Sequence, residues 1–210
     1  MEERGESIYY LKTTEIIVKD SMMTEIIGFA GSYSQPSRTR ALVAAAARDA
    51  AAQSGLDHAV FDLNDLGVSL GTARSFEELA PQARVLLDRL LDAKALVVAS
   101  PVYKGSYTGL FKHVFDLIDP KALAGKPVLL GATGGGERHA LVIEHQMRPL
   151  FGFFEAAIVP TGIYAAASDF DGERPSSPAF AHRLSCAVGQ LAAAIELQAL
   201  TAGRPMETAA

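Results

Sequence analysis

Short apolar segments alternate with helical patterns along most of this chain, and this alternation restricts the fold more than any other feature of the sequence. The apolar segments lie at residues 26–30, 59–61, 95–99, 127–132 and 157–164. The helical patterns lie at residues 40–53, 77–91, 110–118, 137–154 and 179–200. Residues 95–99 are apolar at every position, which is typical of a parallel strand that helices cover on both faces. The alternation therefore predicts a doubly wound α/β domain.

The composition excludes several classes of protein. Of the 210 residues, 49% are hydrophobic, which is too large a fraction for a disordered chain. Cys186 is the only cysteine, so the chain is not a disulfide-stapled secreted scaffold. The net charge of -5 repels a phosphate backbone, and nucleic acid is therefore not expected as a partner.

Both ends of the chain are expected to lie outside the domain. Residues 1–23 mix apolar and charged side chains without a clean period, which predicts a tail and leaves Met22 or Met23 as an alternative translation start. The predicted domain covers residues 24–202, and residues 203–210 form a second tail. The N-terminus lacks the features of a signal peptide, and no uninterrupted apolar run reaches the roughly 20 residues that cross a bilayer. We therefore expect a cytoplasmic protein with no membrane partner.

The loop after the first predicted strand carries hydroxyl side chains around a single arginine. In a sheet of this kind, ligands bind beyond the carboxyl ends of the strands. Because this loop leads into a helix, free N–H groups and the helix dipole favour an anion there, and a phosphate monoester fits. The spacing matches neither a Walker loop nor Gly-x-Gly-x-x-Gly. The alternative is a serine-rich turn that only caps the helix. The side chains concerned are those of Ser32, Ser34, Ser37, Arg38 and Thr39.

The loop at residues 100–109 follows the third predicted strand and suits a flat ring. Pro101 keeps the chain extended, Gly105 lets backbone approach a ligand, and Tyr103 offers an aromatic face. Lys104 could act on the ring or on a phosphate, or it could be a solvated loop lysine.

Three consecutive glycines follow the fourth predicted strand, at residues 134–136. Without side chains, their N–H groups can contact the carbonyls or nitrogens of a ring, although glycine runs also occur in ordinary turns. What favours a binding site is that all three loops leave corresponding ends of neighbouring strands.

Together these motifs resemble the flavodoxin-like NAD(P)H-dependent FMN reductases. The resemblance rests on Gly31-Ser32 with Ser37-Arg38-Thr39, on the run SPVYKGSYTGLFKH at residues 100–113, and on Ala132-Thr133-Gly134-Gly135 with Arg138-His139. It extends over about residues 24–170. The run at residues 133–154 is most similar to the reductases of alkanesulfonate and methanesulfonate monooxygenase systems, the methanesulfonate type in particular.

The resemblance implies a five-stranded parallel sheet of order 2-1-3-4-5 and an oxidoreductase that reduces FMN with NADH or NADPH. It also implies that reduced FMN passes to a separate sulfonate monooxygenase. By the same resemblance, the FMN phosphate would be held by Ser32, Ser34, Ser37, Arg38 and Thr39. The isoalloxazine ring would be lined by Pro101, Val102, Tyr103, Lys104, Gly105, Thr133, Gly134 and Gly135. No catalytic side chain is expected, because hydride passes directly between the two cofactors.

The resemblance also implies a homodimer or homotetramer. In the alkanesulfonate type, an inserted tyrosine after strand four makes a π-bulge at the subunit interface, and the corresponding stretch here offers His145. Two helices are dense in large apolar side chains, most of which are expected to be core positions. Because there are more of them than one sheet face requires, we expect part of them to pack against another subunit. The residues concerned are Leu110, Phe111, Val114, Phe115 and Ile118, followed by Leu150, Phe151, Phe153 and Phe154.

Other functions on the same fold stay open from the sequence alone. One is a flavodoxin-like electron carrier, although such carriers are more acidic. Others are a quinone, azo or chromate reductase that holds FMN tightly, and an FMN-free regulator. The sequence has no recognisable feature that separates NADH from NADPH. No metal site is expected, because the five histidines are scattered along the chain.

Overall fold

The computed structural model describes residues 25–202, leaving out the side chain of residue 202. Both predicted tails, and the alternative start at Met22 or Met23, lie outside the described residues. The domain boundaries therefore stay a prediction.

The core of the molecule is a parallel sheet of order β2-β1-β3-β4-β5, with β6 also paired to β4. This confirms the order that the resemblance implies. The strands are β1 (Glu25–Ala30), β2 (Asp57–Asp62), β3 (Ala95–Pro101), β4 (Pro127–Gly134), β5 (Ala157–Ile158) and β6 (Ile163–Ala166). Every residue of β1 and β3 is buried, as expected for strands covered on both faces. The carboxyl ends of β1, β3 and β4 therefore lie side by side.

Helices cover both faces of the sheet. They are α1 (Arg38–Ser54), α2 (Pro81–Asp92), α3 (Gly109–Asp116), α4 (Arg148–Phe153) and α5 (Pro178–Ala202). The helices α1 and α5 pack on one face, and α2, α3 and α4 pack on the other. α1 begins after Ser37, whose Oγ accepts a hydrogen bond from the Arg40 N–H, and it ends at Gly55 with a φ of 65°.

Several predicted boundaries are wrong, in each case for a local reason. The helix expected from residue 77 begins only at Pro81, which is favoured in the first turn of a helix. A 3₁₀ turn, Phe76–Glu78, precedes it. The strand expected at residues 157–164 is divided into β5 and β6, with Pro160 between them, because proline has no N–H to donate to the sheet.

The helix expected at residues 137–154 is divided into three parts: a 3₁₀ turn (Glu137–His139), a π-helical turn (Ile143–Met147) and α4. His145 lies within the π-helical turn, so this chain has a bulge at the position that the sequence left undecided. Between β6 and α5, the chain forms a hairpin of β7 (Phe170–Asp171) and β8 (Arg174–Pro175).

Most of the aromatic side chains of the two helices that are dense in large apolar residues lie in the core, as expected. That part of them packs against another subunit stays a prediction. Phe111, Phe115 and Phe151 are buried, and their rings pack against one another under the sheet. A Cβ at Gly31 would lie 2.4 Å from Cδ2 of Phe111, so the chain needs a glycine there for the ring to approach β1. Phe153, in contrast, is 66% exposed.

Helix α5 is long and apolar enough to span a membrane by length and composition alone. One face packs into the core against α1 and the sheet, through Phe180, Leu184, Val188, Leu191 and Ile195. This packing accounts for much of its apolar character, and we assign α5 to the core of the domain.

Lys126 lies next to β4 at the opposite end of the sheet from the three loops. Its Nζ donates a hydrogen bond to the Ala93 carbonyl oxygen. Burial lowers the pKa of Lys126 to about 8, because the surroundings solvate the ammonium group poorly.

Candidate functional site

The loops after β1, β3 and β4 are joined to one another by hydrogen bonds. The hydroxyls of Thr39 and Thr133 are 2.7 Å apart, which links the start of α1 to the end of β4. The Thr108 hydroxyl donates to the Gly31 carbonyl oxygen at 3.0 Å, and the Val102 N–H donates to the Thr133 carbonyl oxygen at 2.8 Å. The three loops that the sequence singled out therefore form one surface.

A cavity of about 470 Å³ opens at the start of α1. Seven of the predicted site residues line it: Ser32, Ser34, Ser37, Arg38, Thr39, Pro101 and Thr133. The cavity thus contains hydroxyl donors, a guanidinium group and the N-terminus of a 17-residue helix without acidic residues in its first turn. This donor set fits a phosphate monoester.

Arg38 and Arg40 have different surroundings although they are two residues apart. Nη1 of Arg40 lies 3.0 Å from the Asp62 carboxylate and 2.9 Å from that of Asp65. Arg38 donates from Nε to the Gly172 carbonyl oxygen at 3.1 Å, and its Cζ lies 6.0 Å from the centre of the Phe170 ring. Arg38 therefore keeps further N–H groups that can donate to an anion in this cavity.

The sequence missed three lining residues: Pro36, Gly172 and Glu173. The last two form the two-residue turn of the β7–β8 hairpin, where Gly172 has a φ of 61°. Glycine at the first position of a two-residue turn is a recognised hairpin signal, and Gly172-Glu173 carries it. That signal could have revealed the hairpin, although not its place beside the cavity.

Val102, Tyr103, Lys104 and Gly105 do not line this cavity but form a turn at its edge. The Tyr103 N–H donates to the Ser106 carbonyl oxygen at 2.9 Å, and φ is 53° at Lys104 and 89° at Gly105. Tyr103 is 55% exposed, and its hydroxyl lies 3.4 Å from Oγ of Ser34. The turn therefore places an aromatic ring beside the hydroxyls of the first loop.

Gly134 and Gly135 complete the surface on the β4 side. A Cβ at Gly134 would lie 2.2 Å from the hydroxyl oxygen of Tyr164, whereas a Cβ at Gly135 would meet nothing within 4 Å. Tyr164 donates a hydrogen bond to the Gly136 carbonyl oxygen and so supports the loop from behind. Burial raises the pKa of Tyr164, and the charges of Asp169 and Glu137 raise it further, so the hydroxyl stays protonated as a donor.

The arrangement as a whole fits FMN. The cavity at the start of α1 supplies donors for a phosphate, and the Tyr103 turn and the end of β4 adjoin it, with an aromatic ring and open glycine backbone that suit a planar ring. Among the described residues, the three loops bring no nucleophile, base and orienting carboxylate together.

Comparisons with known proteins agree with this geometry. Residues 24–171 match the family model described as NADPH-dependent FMN reductase. The chain is 43% identical over 168 residues to the FMN reductase (NADPH) of Pseudomonas aeruginosa, covering 80% of this chain and 90% of the relative. It is 45% identical over 146 residues to the NADH-dependent FMN reductase SfnF of Pseudomonas fluorescens, covering 70% of this chain and 78% of the relative.

A solved structure of an oxidoreductase from Corynebacterium diphtheriae superposes with a TM-score of 0.76 at 35% identity, covering 84% of this chain and 98% of that one. The apo form of the NADH:FMN oxidoreductase EmoB superposes with a TM-score of 0.66 at 27% identity, covering 81% of this chain and 89% of that one. Fold, loop geometry and sequence agree, and the chain belongs to the NADPH-dependent FMN reductase family.

Proposed function

We propose that this protein transfers hydride from a nicotinamide nucleotide to FMN and releases the reduced flavin to a separate sulfonate monooxygenase. The observation that carries the proposal is the cavity at the start of α1, where hydroxyls and Arg38 surround the N-terminus of the helix. Family membership supports the FMN reductase activity. The monooxygenase partner is supported by the sequence resemblance to reductases of sulfonate systems.

In this proposal the phosphate of FMN is bound by Ser32, Ser34, Ser37, Arg38 and Thr39. Pro101 and Thr133 line the same cavity, and in this proposal they contact the isoalloxazine. The turn formed by Val102, Tyr103, Lys104 and Gly105, with the backbone of Gly134 and Gly135, contacts the isoalloxazine. FMN, when bound, supplies the ring that accepts the hydride. The protein orients the ring, and its backbone N–H groups stabilise negative charge on the ring.

The nucleotide donor is to be decided by experiment. The Pseudomonas aeruginosa relative is named for NADPH, and the SfnF relative for NADH. Oxidation of NADH and of NADPH is measured at 340 nm with FMN, FAD or riboflavin as acceptor. We expect FMN to be the best acceptor and riboflavin the poorest, because riboflavin lacks the phosphate. Equal rates with FMN and riboflavin would contradict the assigned phosphate cavity.

The same preparation separates the proposed function from its alternatives. A reductase that treats FMN as a substrate purifies pale and oxidises nucleotide only when flavin is added. A tight-FMN quinone, azo or chromate reductase, or a flavodoxin-like carrier, purifies yellow. An FMN-free regulator oxidises no nucleotide under any of these conditions.

We also propose that the protein is cytoplasmic, as expected from the sequence, and that it is a homodimer or homotetramer. The structural support, which concerns the oligomer alone, is an apolar groove of about 660 Å³ between α3 and the segment that contains the π-helical turn and α4. Its lining includes His145, Pro149, Leu150 and the exposed Phe153. An exposed apolar surface of this kind is typical of a protein interface.

A further inference from the structure

The β7–β8 hairpin is the outer wall of the phosphate cavity. Gly172 and Glu173 line the cavity from the turn of this hairpin, and the Gly172 carbonyl oxygen accepts the hydrogen bond from Arg38 Nε. The hairpin thus places two groups at the proposed phosphate site: a carbonyl that orients the cation, and a carboxylate.

The formal charges of the residues that line the cavity do not favour tight binding of a phosphate. Of the described residues that line the cavity, Arg38 is the only basic one and Glu173 the only acidic one, so their formal charges cancel. A phosphate monoester carries about -1.5 to -2 charges at pH 7. Arg40, the other cation of the loop, is already paired with Asp62 and Asp65.

Among the described residues, none forms an ion pair with Glu173 that would explain its position by structure alone. Its side chain is exposed. It also borders a second cavity, which it shares with Arg40, Asp62 and Asp65, so further carboxylates lie nearby. The Arg38 guanidinium is oriented by the Gly172 carbonyl oxygen and not by the Glu173 carboxylate.

We propose that Glu173 is a specificity-determining residue that weakens the binding of phosphorylated flavin by charge repulsion, and thereby keeps FMN exchangeable. The inference rests on the proposed function, since it takes the cavity to hold the FMN phosphate. A carboxylate at the rim of an open cavity repels the phosphate through partly screened solvent, which makes the effect moderate. The repulsion acts on FMN and not on riboflavin.

The test compares Glu173→Gln with the matched control Asp171→Asn. Both changes remove one negative charge from the same hairpin, but Asp171 does not line the cavity. Dissociation constants of FMN and riboflavin are measured by quenching of flavin fluorescence, at about 50 mM and about 1 M salt. At the lower salt concentration, we expect Glu173→Gln to bind FMN about three- to tenfold more tightly, with riboflavin binding unchanged. At about 1 M salt, where the screening length is about 3 Å, the gain should largely disappear.

Three results would overturn the inference: unchanged or weaker FMN binding by Glu173→Gln, an equal gain for riboflavin, or an equal gain in Asp171→Asn. Weaker binding would mean that the carboxylate supports Arg38, and an equal gain in the control would mean that only net charge matters. The proposed function fails separately, if the unmodified protein neither binds FMN nor reduces it with either nucleotide.

Discussion

Ser37 combines two tasks that substitutions can separate. Its Oγ caps α1 by accepting the Arg40 N–H at 3.2 Å, and its side chain lines the proposed phosphate cavity. Alanine removes both the cap and the hydroxyl donor. Aspartate keeps a capping oxygen, because aspartate and serine are comparable caps, but it places a negative charge in the cavity.

The expected magnitudes follow from these contacts. Losing the cap in Ser37→Ala should cost about 1 kcal/mol in the free energy of unfolding. Ser37→Asp should leave that free energy unchanged or raise it by about 0.3–1 kcal/mol, because a carboxylate interacts favourably with the helix N-terminus. A hydrogen bond to a charged group is worth about 1.5–3 kcal/mol, so alanine should weaken FMN binding by at least about tenfold. Aspartate should weaken it at least as much.

Urea unfolding without added flavin measures the stability of each variant, and fluorescence titration measures the binding of FMN and riboflavin. The two variants should therefore differ in stability but agree in their loss of FMN affinity, with riboflavin affected far less. If Ser37→Asp bound FMN as tightly as the unmodified protein does, Ser37 would not face the phosphate, and the cavity would be assigned wrongly.

Three further predictions concern the core, the pH dependence and the oligomer. Gly31→Ala should destabilise the fold by about 1–3 kcal/mol in urea unfolding, because the new Cβ would overlap the buried ring of Phe111; no loss would contradict the assigned contact. The pKa of Lys126 is lowered from 10.5 to about 8, so the unfolded chain binds more protons than the folded one between these values. The free energy of unfolding should thus rise by up to about 3 kcal/mol as the pH increases through that range. A similar rise in Lys126→Met would show that Lys126 is not its cause. Phe153→Ser should lower the mass in light scattering relative to the unmodified protein, whereas Val85→Ser, at another exposed apolar position, should not; equal masses in all three proteins would place any interface elsewhere.

The doubly wound α/β class and the convergence of the three loops could be predicted from patterns that are local to each segment: apolar runs for the strands, and hydroxyl or glycine clusters directly after them. The order of the strands was implied only by the resemblance to the flavodoxin-like FMN reductases. In a parallel sheet, loops that leave neighbouring strands at the same end must meet. This is why seven of the predicted residues line one cavity.

What the sequence did not reveal depends on contacts between distant segments. The helical period continues through residues 143–147, and nothing in that period distinguishes a π-helical turn from an α-helical one. From the sequence, Phe151 could be a core residue or an interface residue, because both are apolar. Its packing against Phe115 in the structure shows that it is a core residue. Arg38 and Glu173 line one cavity although they are far apart in the chain, and no local pattern encodes this.

The hydrogen bonds between Thr39 and Thr133, and between Thr108 and Gly31, have a kinetic consequence. Because they hold the loops together from within the protein, an arriving molecule does not have to order them first, and association loses little entropy to rearrangement. When a ligand dissociates, these hydrogen bonds likewise keep the loops in place for the next ligand. We therefore expect that neither binding nor release of a ligand requires these loops to refold.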